Sequence, residues 1–144
     1  MLMTNETNKN VKIKLTSSIT PLDGELETYE MWLQGAFIEK AGSPYLRYEE
    51  MQEEQSVMTT IKLASEKALI IRSGAVKMRL PLNIDQLEAG HYKNALGEIP
   101  IDIQTNTLNF DGAEANGQFT ANYDLLIDGN SVGNYVLQIQ YQEV

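Results

Sequence analysis

Val11-Lys12-Ile13-Lys14-Leu15-Thr16-Ser17-Ser18-Ile19 alternates apolar or small side chains with polar ones, residue by residue. A strand sends successive side chains to opposite faces, so this run predicts one dry face and one wet face. Pro21-Leu22-Asp23-Gly24 follows, with proline presetting φ and glycine free to take positive φ, which is turn chemistry. The same alternation returns along the chain. Val57, Thr59, Ile61 and Leu63 share one face, as do Val76, Met78, Leu80 and Leu82 against Lys77 and Arg79. Ile99, Ile101, Ile103 and Thr105 oppose Asp102 and Gln104. Phe119, Ala121, Tyr123, Leu125 and Ile127 align, and Tyr135, Leu137, Ile139 and Tyr141 oppose Val136, Gln138, Gln140 and Gln142.

Turn signals separate these runs at Ala41-Gly42-Ser43-Pro44, Gly74, Asp111-Gly112, Asn116-Gly117 and Asp128-Gly129-Asn130. Tyr29, Met31, Leu33 and Phe37 share a parity with Gly35, where a missing side chain marks a bulge or barrel corner. Ile84 to Asn94 is irregular, and Leu87 with Leu96 suggests a helical turn there. One polar face per strand indicates an antiparallel sheet, and closure hides its apolar face and both edges. The expected fold is all-β: an antiparallel up-and-down barrel of eight to ten strands, with a two-sheet sandwich as the alternative. A polar segment, residues 1–10, would precede a single barrel domain, residues 11–144.

The 144 residues carry 11 basic and 20 acidic side chains, a net charge of −9, with one histidine and no cysteine. Disulfides, thiolate metal sites and cysteine nucleophiles are thereby excluded. Acidic residues dominate 23–54 and everything after Lys93, which leaves no basic stripe for a phosphate backbone. Nucleic acid is not an expected partner. No apolar run reaches spanning length and the N-terminus lacks a signal-peptide core, so a cytoplasmic location without membrane association is expected.

Catalytic and metal-binding constellations are missing from the sequence. His91 is isolated after Gly90 and reads as a surface-loop residue. Ser73-Gly74 lacks a G-x-S-x-G frame, and no phosphate loop occurs. Glu49, Glu50, Glu53 and Glu54 lack calcium-loop spacing and read as a solvated edge. The chain is therefore expected to be no enzyme and to need no metal or cofactor. Trp32 and the seven tyrosines either line a cavity or fill the core, and the parities of Tyr123, Tyr135 and Tyr141 favour filling.

Strand parity supplies one candidate site. Tyr48 and Glu50 share a face with Leu46, and Arg72 shares a face with Ala68 and Ile70. If these faces point inward, a phenol, a carboxylate and a guanidinium meet near one barrel opening. Such a group can fix the head of a small amphipathic or anionic ligand. Tyr48, Glu50 and Arg72 are thus the expected ligand-binding residues, and a packed barrel engaging another protein is the alternative.

Arg72-Ser73-Gly74-Ala75-Val76-Lys77-Met78 resembles the YwiB-like proteins of low-GC Gram-positive bacteria. So do Tyr45-Leu46-Arg47-Tyr48-Glu49-Glu50, Thr60 with Lys62, Tyr92 with Gly97, and Gly117 with Tyr123. The resemblance runs from roughly residue 11 to residue 142. It implies a calycin-like barrel, similar in fold to lipocalins and fatty-acid-binding proteins. It brings no activity, cofactor or site residue with it.

Overall fold

Turns of only two to five residues join the alternating runs, too short for a crossover, so each run pairs antiparallel with its neighbour in sequence. The structure is a computed structural model and describes residues 6–144. Ten strands follow one another: β1 (Glu6–Pro21), β2 (Glu27–Lys40), β3 (Ser43–Gln52), β4 (Gln55–Lys62) and β5 (Lys67–Gly74), then β6 (Lys77–Asn83), β7 (Glu88–Asn94), β8 (Gly97–Gly112), β9 (Asn116–Ile127) and β10 (Asn130–Glu143). They form an up-and-down meander that β1 closes against β10, from Val11 opposite Glu143 to Pro21 opposite Gly133. The fold is an all-β closed antiparallel barrel. No helix among the described residues is long and apolar enough to cross a membrane.

The inward parity is the one the alternation predicts. Val11, Ile13 and Leu15 point in from β1, Val57, Thr59 and Ile61 from β4, and Ile101, Ile103 and Thr105 from β8. Two places depart from simple alternation. Asn106 bulges out of β8 between Thr105 and Thr107, after which Leu108 and Phe110 pack against the core. Val132 bulges out of β10 between Ser131 and Gly133. A bulge opposes two residues to one, so it flips the parity and sharpens the local twist.

Gly35 sits where β2 passes between Val11 of β1 and Tyr48 of β3. A Cβ there would meet the Arg47 carbonyl oxygen, with Ile13 Cδ1 only 2.7 Å away. The absent side chain is what lets the sheet turn its corner.

Four expectations need correction. The segment Ile84 to Asn94 holds no helical turn. Residues 84–87 form a turn and β7 follows, with its inward position at Gly90 empty because a Cβ would meet the Arg79 carbonyl oxygen and Ile103 Cδ1. His91 therefore lies on a strand between Arg79 and Pro100, not in a loop. Asp111-Gly112 and Asn116-Gly117 are strand ends, and the turn is 113–115. The polar segment also divides differently: Thr7 to Asn10 pair with Glu39 to Ala36, so β1 is longer than its apolar pattern. Residues 1–5 of that segment lie outside the described residues.

The barrel is filled unevenly. Toward the end bearing the β2–β3, β4–β5, β6–β7 and β8–β9 turns, the interior is solid with Phe37, Leu46, Ile61, Leu82, Ile103, Phe119 and Ile139. Phe37 stacks on Tyr141 with ring centroids 5.4 Å apart, and the Tyr141 hydroxyl donates to the Ala113 carbonyl at 2.6 Å. The other end stays hollow.

Candidate functional site: the open end of the barrel

The hollow end has two adjoining lobes that share Met78, Leu80, Tyr123 and Tyr135. The polar lobe has a volume of about 350 Å³, the apolar lobe about 280 Å³. Together they fall within the size range of small-molecule pockets. A larger, shallower groove of about 580 Å³ lies by Gln34, Arg47 and Met58 on the outside of the barrel and is wide open to solvent.

A cross-strand row forms one wall of the polar lobe. Tyr48 on β3 pairs with Thr59 on β4, which pairs with Arg72 on β5, which pairs with Met78 on β6. Residues opposite one another in a sheet point to the same face, so all four side chains turn inward together. Glu50 stands two residues beyond Tyr48, on the same face and nearer the mouth. Its Oε1 lies 3.7 Å from Arg72 Nη2, with the Arg72 and Glu50 side chains 21% and 15% exposed. That separation makes an ion pair but lies beyond hydrogen-bond reach. Neither partner spends a direct hydrogen bond on the other.

Tyr48, Thr59 and Tyr123 set hydroxyls among the apolar side chains that make up most of the lobe's lining. Burial pushes the Tyr48 hydroxyl far above its ordinary pKa, and the Glu50 charge pushes the same way while Arg72 opposes it. Burial does the same to Tyr123, with neighbouring Tyr135 adding and Arg72 again opposing. Both phenols therefore keep their protons. The Tyr123 and Tyr135 rings stack with centroids 5.5 Å apart and 7° between planes, forming the wall between the lobes. Thr59 Oγ1 is buried and makes no well-formed hydrogen bond; the Tyr48 hydroxyl facing it across the strand pair lies close enough that Thr59 opposes the rise in its pKa, but the contact falls short of good geometry. A buried hydroxyl left unpaired costs about 1–3 kcal/mol, and it marks a place where something else can bond.

The apolar lobe is lined by Tyr92, Ile99, Ile101, Leu125, Ile127 and Val132 besides the shared residues. Leu22, Leu26, Met51 and Leu96 stand exposed beside the mouth, at or next to its turns.

The structure thus brings Tyr48, Glu50 and Arg72 into one lobe, as strand parity suggests. Thr59, Tyr123, Tyr135 and Met78 line it with them, as do apolar side chains of β1, β2, β5, β6 and β10. Thr59 was legible as the one hydroxyl in the inward run Val57, Thr59, Ile61, Leu63, directly between the strands of Tyr48 and Arg72. Tyr123 and Tyr135 wall the cavity, whereas Tyr141 is packed in the core. Trp32 does neither: it is 70% exposed on the outer face, with Lys14 Nζ 5.8 Å from its ring centroid. Glu50 is likewise no part of a solvated acidic edge, unlike Glu53 and Glu54. Among the described residues, no cluster of three His, Asp or Glu side chains could hold a metal ion.

Comparison with known proteins agrees with this architecture. The "Uncharacterized beta-barrel protein YwiB" of Bacillus subtilis (strain 168) is 27% identical over 125 residues, covering 87% of this chain and 88% of the relative. The crystal structure of the ywiB protein from Bacillus subtilis superposes with a TM-score of 0.85 at 26% identity, covering 95% of this chain and 93% of that one. The family described as "Domain of unknown function (DUF1934)" matches residues 13–139, and the chain belongs to that family.

Proposed function

We propose that the protein is a non-catalytic binding module that takes a small amphipathic ligand, its polar or anionic head in the polar lobe and its apolar part in the neighbouring one. The observation that carries this reading is the join between the lobes. A buried hydroxyl without a well-formed hydrogen bond and a loosely held ion pair lie on one side of Tyr123 and Tyr135, and an almost wholly apolar pocket lies on the other. A barrel that only needed a core would fill that space, as its other end does. In this reading the module works in the cytoplasm, without a metal, cofactor or nucleic acid.

Native mass spectrometry of freshly purified protein tests the proposal. A discrete small-molecule adduct is expected on the wild type and is expected to be lost from Leu125→Arg, which fills the apolar lobe with a charge. A bare wild-type mass, or an adduct indifferent to that substitution, would count against it. The exposed leucines near the mouth, with Leu96 at 96%, favour a second reading in which another protein seats on the open end. That reading predicts a partner whose binding is abolished by Leu22→Ser with Leu96→Ser and untouched by Leu125→Arg.

A further inference from the structure

We infer that the ligand head is a zwitterion, an ammonium and a carboxylate on one carbon as in an apolar α-amino acid, which bridges Glu50 and Arg72. This inference rests on the binding reading above and specifies its ligand class.

Charge balance is the first argument. Among the described residues, Glu50 and Arg72 are the only charged side chains lining the polar lobe, and together they are neutral. A simple anion that takes Arg72 adds a negative charge beside Glu50. It would leave two negative charges in one hollow inside a chain whose net charge is already −9. Like charges held close in a partly desolvated site repel strongly. A simple cation that takes Glu50 adds a positive charge beside Arg72 in the same way. A zwitterion replaces one ion pair with two: its ammonium meets Glu50, its carboxylate meets Arg72, and the site remains neutral.

The geometry gives the second argument. The 3.7 Å separation of Glu50 Oε1 and Arg72 Nη2 leaves both groups short of a hydrogen bond to each other. Each therefore retains its directional bonding capacity for a ligand. The third argument is the asymmetry of the surroundings. Tyr48, Thr59 and Tyr123 cluster with Arg72 on the cavity wall, so a carboxylate there finds hydroxyl donors for its second oxygen. Thr59 Oγ1, buried with only the poorly aligned Tyr48 hydroxyl beside it, gains a well-formed bond. The Glu50 carboxylate sits nearer the mouth, where the ammonium would face it. The apolar lobe, reached past Met78 and Leu80, takes the side chain.

Isothermal titration calorimetry with four tail-matched probes decides the matter: 2-aminooctanoate, octanoate, octylamine and 1-octanol. For the wild type, 2-aminooctanoate should bind roughly tenfold or more tighter than the other three. Glu50→Gln should shift preference to octanoate, and Arg72→Met should shift it to octylamine. Octanoate binding the wild type as tightly as 2-aminooctanoate would overturn the zwitterion inference while leaving the binding reading intact. Equal affinity for octanol would also overturn it, because the head would then go unread. Binding of none of the four would remove the binding reading itself. The wild-type ranking alone is decisive should either variant fold poorly.

Discussion

Glu50 and Arg72 should be energetically coupled, and the structure sets the size of that coupling between two limits. Two unit charges 3.7 Å apart attract by about 4–5 kcal/mol at an effective dielectric constant of roughly 20. The pair is not dry, however: the two side chains remain 21% and 15% exposed through the barrel mouth. Hydration of each ion in the separated state offsets much of the attraction, as it does in surface pairs that contribute about 1 kcal/mol or less. A coupling of about 1–2 kcal/mol is therefore expected, short of the roughly 3–5 kcal/mol lost on breaking a fully buried pair. The assay is urea unfolding of the wild type, Glu50→Gln, Arg72→Met and the double variant. Each single change strands a half-buried charge, so each should destabilise. The double variant should be more stable than the sum of the two losses implies. Additivity to within about 0.5 kcal/mol, the usual behaviour of independent sites, would refute the coupling.

Gly35→Ala should destabilise by about 2–3 kcal/mol, because the new methyl meets the Arg47 carbonyl oxygen and Ile13 Cδ1 with no room to retreat. A loss under about 1 kcal/mol in urea unfolding would show that the corner is softer than its contacts suggest. Glu53 and Glu54 both adopt positive φ, 50° and 70°, in the two-residue turn between β3 and β4. Combining Glu53→Asn with Glu54→Gly relieves unfavourable left-handed backbone and a like-charge pair, and should stabilise by about 1–2 kcal/mol. An unchanged or lowered urea midpoint would refute that reading.

Much of the barrel was legible because strand parity propagates. Once Leu46 is placed inward, Tyr48 and Glu50 must follow, and Ile70 carries Arg72 with it in the same way. Bulges and corners interrupt the signal. β7 reads Glu-Ala-Gly-His-Tyr-Lys-Asn, with no apolar alternation, since its central inward position must be glycine and its outer residues are solvated. Its strand character comes from pairing with β8, from Asn94 opposite Gly97 to Glu88 opposite Ile103, and not from any alternation of its own. Pro81 on β6 has no N–H to offer, and pairing between β6 and β7 covers only Lys77 to Arg79. The parity change at Asn106 was hidden for a related reason: a bulge is a property of two paired strands, and neither sequence carries it alone. The site was half legible. Parity assembles Tyr48, Glu50 and Arg72, but whether the tyrosines fill the barrel or wall a hollow depends on the summed volume of ten strands, which no single run reveals.

Closure of the barrel by β1 and β10 also dictates how the protein must be made. Every other neighbouring pair is a hairpin whose halves emerge together during synthesis, but the seam joins residues from opposite ends of the chain. Loop closure over so long a span is slow, and it comes last. Until the 14 residues of β10 are available, β1 waits with an unpaired edge. Lys12 and Lys14 lie along that strand, and charged side chains of this kind discourage one waiting edge from zipping onto another. When β10 arrives, the seam shuts along its whole length, finishing with the Val144 amide donating to the Asn10 carbonyl at 3.0 Å. A chain cut before β10 would remain a curved sheet with two reactive edges, so nascent and truncated chains, rather than the folded barrel, are where aggregation begins.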